Sequence, residues 1–166
     1  MVRVELTMLE FCAAVDVARV RIMTSAGLNL NHASTYKRGP MTRMAEEIIG
    51  ACAEIAFAKA LDRFYVPPLN NFHSTADILS DIEIRGTRRE GGRLIVRDND
   101  SPDRRYVLVV VNPPEALIVG WILGRDARRD EWLDNPNGYR RAWFVPQDAL
   151  SSVSDEALGQ WAEEAA

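Results

Sequence analysis

Thr75-Ala-Asp-Ile-Leu-Ser-Asp-Ile-Glu-Ile-Arg-Gly-Thr87 is the stretch around which the chain is organised. Ile78 and Leu79 suit a first short strand, and Ser80-Asp81 suits a tight turn. Ile82, Ile84 and the residues between them suit a second strand. Alternation along that strand sends Ile82 and Ile84 to one face and Glu83 and Arg85 to the other. Asp77 precedes Glu83 by six positions. An acid on one strand, followed by an acid and a base on its neighbour, can meet above a sheet. Such a pair of carboxylates suits a hard divalent cation: magnesium takes few protein oxygens and keeps waters and a phosphate. It also relieves their mutual repulsion. The same residues equally fit a solvated strand face with Asp81 as a turn residue.

Asp77 followed by Glu83-Ile84-Arg85 resembles the signature of the PD-(D/E)xK nuclease superfamily, and Thr87 extends the likeness. The upstream run Gly50-Ala-Cys-Ala-Glu-Ile-Ala-Phe-Ala-Lys-Ala-Leu61, with Glu54 inside it, is similar to that superfamily's first core helix, which carries a further acid. From there to Trp143 the chain looks like small nuclease-fold proteins of phages and prophages. The resemblance implies a restriction-endonuclease-like α+β fold, with a central mixed, mainly antiparallel sheet flanked by helices. It also implies a Mg (or Mn) ion held by Asp77, Glu83 and the Ile84 backbone carbonyl. Glu54 would act on a metal-bound water, and Arg85 would steady the phosphorus. The implied activity is a metal-dependent phosphodiesterase acting on nucleic acid, DNA ahead of RNA. The alternative is a nuclease-fold module that has lost catalysis and binds nucleic acid or a protein.

Two departures from that pattern carry chemical weight. Arg85 stands where the signature has lysine, and a guanidinium keeps its proton, so it cannot act as a general base. The superfamily core has a helix before its fourth strand, but Asp98–Arg104 is too short to hold one. Either the sheet is wired differently or 8–26 or the C-terminal helix covers it.

The composition sets outer bounds. A chain of 166 residues, 47% hydrophobic and 27% charged, fits one soluble domain, 1–166, with a core of 42–145 and added helices at 8–26 and 154–166. No apolar run spans a bilayer, and Glu5 and Glu10 break any signal-peptide pattern, so cytoplasmic residence without membrane contact is the expectation. A net charge of −4 argues against coating nucleic acid by bulk charge, but not against a local site. Cys12 and Cys52 lie in apolar helical patterns and are expected to be buried free thiols. His32 and His73 are isolated, so no zinc site is expected. Nothing in the composition fixes the oligomeric state; a homodimer is compatible with it.

Along the chain, Val2–Leu6 suits a strand, and Thr7 with Glu10 forms a capping box for a helix from Met8 to Ala26 ended by Gly27. Its apolar stripe is read as Leu9, Cys12, Ala13, Val17, Val20 and Ile22 or Met23, with Arg19 and Arg21 on the polar side. A polar connector follows, where Lys37 and Arg38 beside Tyr36 suit a nucleic-acid strand or a plain surface loop. A second helix is expected at about 42–62. Its small residues would let it lie close on a sheet, and Glu54, mid-helix among small apolar neighbours, would want a partner that Arg85 or a metal could supply. Arg88, Arg89 and Arg93 in a glycine-bearing turn are the local candidates for a nucleic-acid backbone contact. Strands are expected at 94–97, 106–111, 116–123 and 141–145. The unbroken apolar run Val107–Val111 marks a strand covered on both faces. Ser154 caps a last helix with Leu158 and Trp161 inward.

Overall fold

The computed structural model describes residues 1–27, 39–63, 65, 67, 81–135, 138 and 141–164. Strand β1 (Val2–Glu5) leads into helix α1 (Met8–Gly27), and α2 spans Pro40–Ala60. Then come β2 (Ile82–Thr87), β3 (Leu94–Arg97), β4 (Arg105–Asn112), β5 (Glu115–Leu123), β6 (Leu133–Asp134), β7 (Ala142–Val145) and α3 (Asp155–Glu164). The local signals at the helix starts operate as expected. The Thr7 amide donates to Glu10 Oε2 at 2.6 Å, and the Glu10 amide donates to Thr7 Oγ1 at 3.2 Å. The Ala157 amide donates to Ser154 Oγ at 3.1 Å.

Two sheets form rather than one. The first is mixed, in the order β1-β5-β4-β2, and β2 runs parallel to β4 while the other neighbours are antiparallel. The second is antiparallel, in the order β3-β7-β6. The two faces of β4 explain its unbroken apolar sequence. Val107, Val109 and Val111 pack with α2 residues Ala53, Ile55 and Phe57 in one core. Tyr106, Leu108 and Val110 pack with Leu94, Val96 and Val145 of the second sheet in another. The face for which the sequence suggested a covering helix is covered by strands β3 and β7. Between Thr87 and Arg105 the chain uses its short span for β3, which leaves the first sheet.

Helix α2 is buried from Ala51 to Ala58, all round rather than on one stripe. It lies close on β2 because neither side presents bulk: a Cβ at Gly86 would stand 2.8 Å from the Ile49 carbonyl oxygen and 3.0 Å from Ala53 Cβ. On α1 the buried positions are Ala14, Val17, Ala18 and Ser25. Leu9 and Cys12 are exposed, so the expected stripe is rotated and Cys12 is not the buried thiol the pattern suggested. That helix has apolar residues on several sides, and its sequence alone does not single out the packed one. Trp132 is buried and anchors the segment after β5. Among the described residues no helix is long and apolar enough to cross a membrane.

Candidate functional site

Strand β2 divides its side chains as alternation requires. Ile82 and Ile84 are buried against α2, and Gly86 faces the same helix. Glu83 and Arg85 therefore point to the opposite face, beside Tyr106 of β4 and the turn that follows β3. This pairing of an acid and a base on one half-buried face is the part of the expected site that the structure assembles.

The neighbours of Glu83 are guanidiniums. Arg85 Nη1 stands 3.4 Å from its Oε1, and Arg104 Nη1 stands 3.6 Å from its Oε2. Arg85 Nη2 donates to Asp100 Oδ2 at 3.0 Å, and its guanidinium lies 5.5 Å from the centre of the Tyr106 ring. Asp100 is fixed in turn: its Oδ2 accepts the Arg97 amide at 2.8 Å, and its carbonyl oxygen accepts from Arg128 Nη2. Arg128 stacks on Trp143. The Tyr106 hydroxyl donates to the Ser101 carbonyl at 3.1 Å, and burial, then the Asp100 charge, pushes it up to about 12. Among the described residues the cluster holds two carboxylates, Glu83 and Asp100, and three guanidiniums, Arg85, Arg104 and Arg128, the last reaching Asp100 through its backbone carbonyl. The formal charge of these described groups is positive, which suits an anion better than a divalent cation.

Glu54 is elsewhere. Its side chain is buried, and both oxygens are taken by one residue: Arg21 Nη1 donates to Oε1 and Nη2 to Oε2, each at 2.9 Å. The Tyr65 hydroxyl lies 3.4 Å from Oε2. The cation that the structure places on Glu54 is therefore Arg21 of α1 rather than Arg85. Because α2 covers the Ile82–Ile84 face while Glu83 points away from it, the structure does not bring Glu54 and Glu83 together. Asp77, the other strand acid, lies outside the described residues, and among them Glu54 pairs with Arg21 instead of approaching Glu83. The reason is that a fork-shaped guanidinium on the adjoining helix satisfies both carboxylate oxygens locally.

Asp77, Lys37, Arg38 and His73 fall outside the described residues. Ile84 lies in the ladder opposite Val107. Among the described residues, no group of three or more His, Cys, Asp or Glu side chains is placed to hold a metal ion. Asp81, read as a turn residue, accepts from Arg105 Nε at 2.8 Å, and that guanidinium stacks on Trp161 of α3. Arg88, Arg89 and Arg93 are exposed on the turn between β2 and β3 and form no ion pair with a described acid. The turn itself is tied down. Gln147 Nε2 donates to the Glu90 and Gly92 carbonyls at 2.6 and 2.9 Å, and Thr87 Oγ1 accepts the Arg89 amide.

Sequence reading missed Arg21, Asp100, Arg104 and Arg128 as members of these clusters. Each is an ordinary charged residue far along the chain from its partner, and no local pattern marks it. No family model matches the chain, and neither the curated proteins nor the solved structures hold a match to it.

Proposed function

We propose that this chain is a nuclease-like module that binds the phosphate backbone of a nucleic acid, DNA ahead of RNA. The contact runs over the Glu83–Arg85 face of β2 and onto the Arg88–Arg93 turn. The observation that carries this reading is the set of guanidiniums beside Glu83 and Asp100, namely Arg85, Arg104 and Arg128, continued by three exposed arginines on a turn held by Gln147. Guanidiniums fit phosphate oxygens in pairs, and a turn fixed beforehand loses little freedom on binding. The net charge of −4 confines attraction to this local patch.

A second reading, a metal-dependent phosphodiesterase, is favoured by one observation: Glu83 and Arg85 share a face of β2, the strand that Asp77 precedes in sequence. Its metal, Mg or Mn, would need Asp77, Glu83 and the Ile84 carbonyl. The described part of that set does not fit a divalent ion by itself, since one carboxylate faces two guanidiniums. Arg85 could steady charge on a phosphate in either reading.

Fluorescence anisotropy with a labelled DNA duplex and a labelled RNA, over a salt series, separates the readings. Replacing Arg88, Arg89 and Arg93 by Ala should weaken binding to all sequences alike and flatten the log–log salt dependence by roughly 3. Absence of salt-dependent binding by the intact protein would refute the proposal. Cleavage of plasmid DNA with Mg or Mn, abolished by Asp77→Asn, would establish the second reading instead.

A further inference from the structure

Strand β1 is an open edge of the first sheet, and we infer that it pairs with β1 of a second copy of this chain to form a symmetric dimer. Among the described residues its ladder partner is β5 alone. The Leu6 amide donates to the Pro114 carbonyl on the β5 side at 2.8 Å. Even-numbered residues therefore spend their backbone groups on β5, and Arg3 and Glu5 turn theirs outward. Lys59 Nζ, which donates to the Glu5 carbonyl at 2.9 Å, marks that outward direction.

The side chains choose the occupant. In an antiparallel pairing of β1 with itself centred on Val4, Arg3 stands opposite Glu5 of the second copy, Glu5 opposite Arg3, and Val4 opposite Val4. The odd-numbered pairs are then the hydrogen-bonded ones, as their outward backbone groups require, and each exchanges two backbone bonds. Sliding by two residues in either direction puts Arg3 opposite Arg3 or Glu5 opposite Glu5, and like charges directly opposite are unfavourable. One register therefore satisfies both the backbone and the charges. Within the protomer Glu5 stands opposite Glu115 on β5, which Arg3 Nη1 already approaches at 3.7 Å, so the pairing across the dimer extends an existing exposed run of alternating charge.

Two further features surround this edge. A groove of about 630 Å³ runs beside β1, lined by Val2, Val4, Leu6, Lys59 and Ala60 among others. Met1, Met8 and Leu9, at either end of the strand, are 70%, 76% and 81% exposed, three of the five exposed large hydrophobic side chains among the described residues. Charged edges usually keep sheets apart, but here the charges alternate in a self-complementary order. Lys59 shares the Glu5 carbonyl with the incoming amide, which that oxygen's second lone pair permits. A contact of one short strand with flanking apolar residues is small, so its dissociation constant should be on the order of 10–100 μM.

Sedimentation equilibrium of the full chain, across concentrations bracketing that value, reads the assembly directly. Glu5→Arg and Arg3→Glu should each weaken the dimer about tenfold, and the double exchange R3E/E5R should restore it. Far-UV circular dichroism on each variant reports whether the protomer is folded. A wild-type chain that stays monomeric through the series overturns the inference. So do folded single variants that dimerise like wild type, or a folded double variant that does not recover.

Discussion

Replacing Arg21 by Met tests what Glu54 is for. In the native chain Glu54 is 5% exposed, and its two oxygens receive the two Nη groups of Arg21 at 2.9 Å. Removal of the guanidinium takes two charge-assisted bonds from a carboxylate inside the α1–α2 contact, whose Oε2 also has the Tyr65 hydroxyl at 3.4 Å. Breaking one side of a buried pair in this way costs about 3–5 kcal/mol. That is a large share of the roughly 5–15 kcal/mol that holds a domain folded. Glu54→Leu should cost less, about 1–3 kcal/mol, because Arg21 retains some exposure at 16% and can turn toward water. The double variant, Arg21→Met with Glu54→Leu, should return to within about 2 kcal/mol of wild type, since apolar groups of similar size replace a buried pair at little net cost. Urea unfolding followed by circular dichroism gives all three values, with the slope checked for constancy. Single losses below about 1 kcal/mol that simply add would refute the assignment of Glu54 to structure. Full stability of Glu54→Gln, together with loss of a metal-dependent cleavage, would restore the catalytic role.

Gly86→Ala should destabilise by about 1–3 kcal/mol in the same assay, because the new methyl would stand 2.8 Å from the Ile49 carbonyl oxygen; a neutral result would mean that α2 lies less close on β2. The Tyr106 hydroxyl is pushed up to about 12 from its ordinary value of 10.0, chiefly by burial. The folded state therefore prefers the neutral phenol. Its contribution is fully present below pH 10 and is lost as pH rises from about 10 to about 12, by roughly 2 kcal/mol. Tyr106→Phe should remove that alkaline loss along with the bond to Ser101, as urea midpoints across the pH series would show. Burial pushes the Cys52 thiol up to about 11, while Cys12 is exposed. A thiol reagent at neutral pH should accordingly label one cysteine of the native chain, and Cys12→Ser should abolish that labelling.

The sequence by itself determined the elements whose causes are local. Thr7 and Glu10 are three residues apart and cap α1 with their own side chains. Alternation put Glu83 and Arg85 on one face of β2, and the apolar run at Val107–Val111 required cover on both sides of β4. Those signals act over two to four residues, so they survive in a linear reading. Tertiary structure alone decided what supplies the cover and which charge meets which. A second sheet, not a helix, closes the outer face of β4, and β2 takes β4 as a parallel neighbour. Arg21 reaches Glu54 across 33 positions of sequence, and Asp100 and Arg104 close around Arg85 and Glu83. A buried carboxylate must find a cation, and the sequence states that need. Which of several arginines answers it depends on how the helices and sheets come together, and no spacing along the chain records that choice.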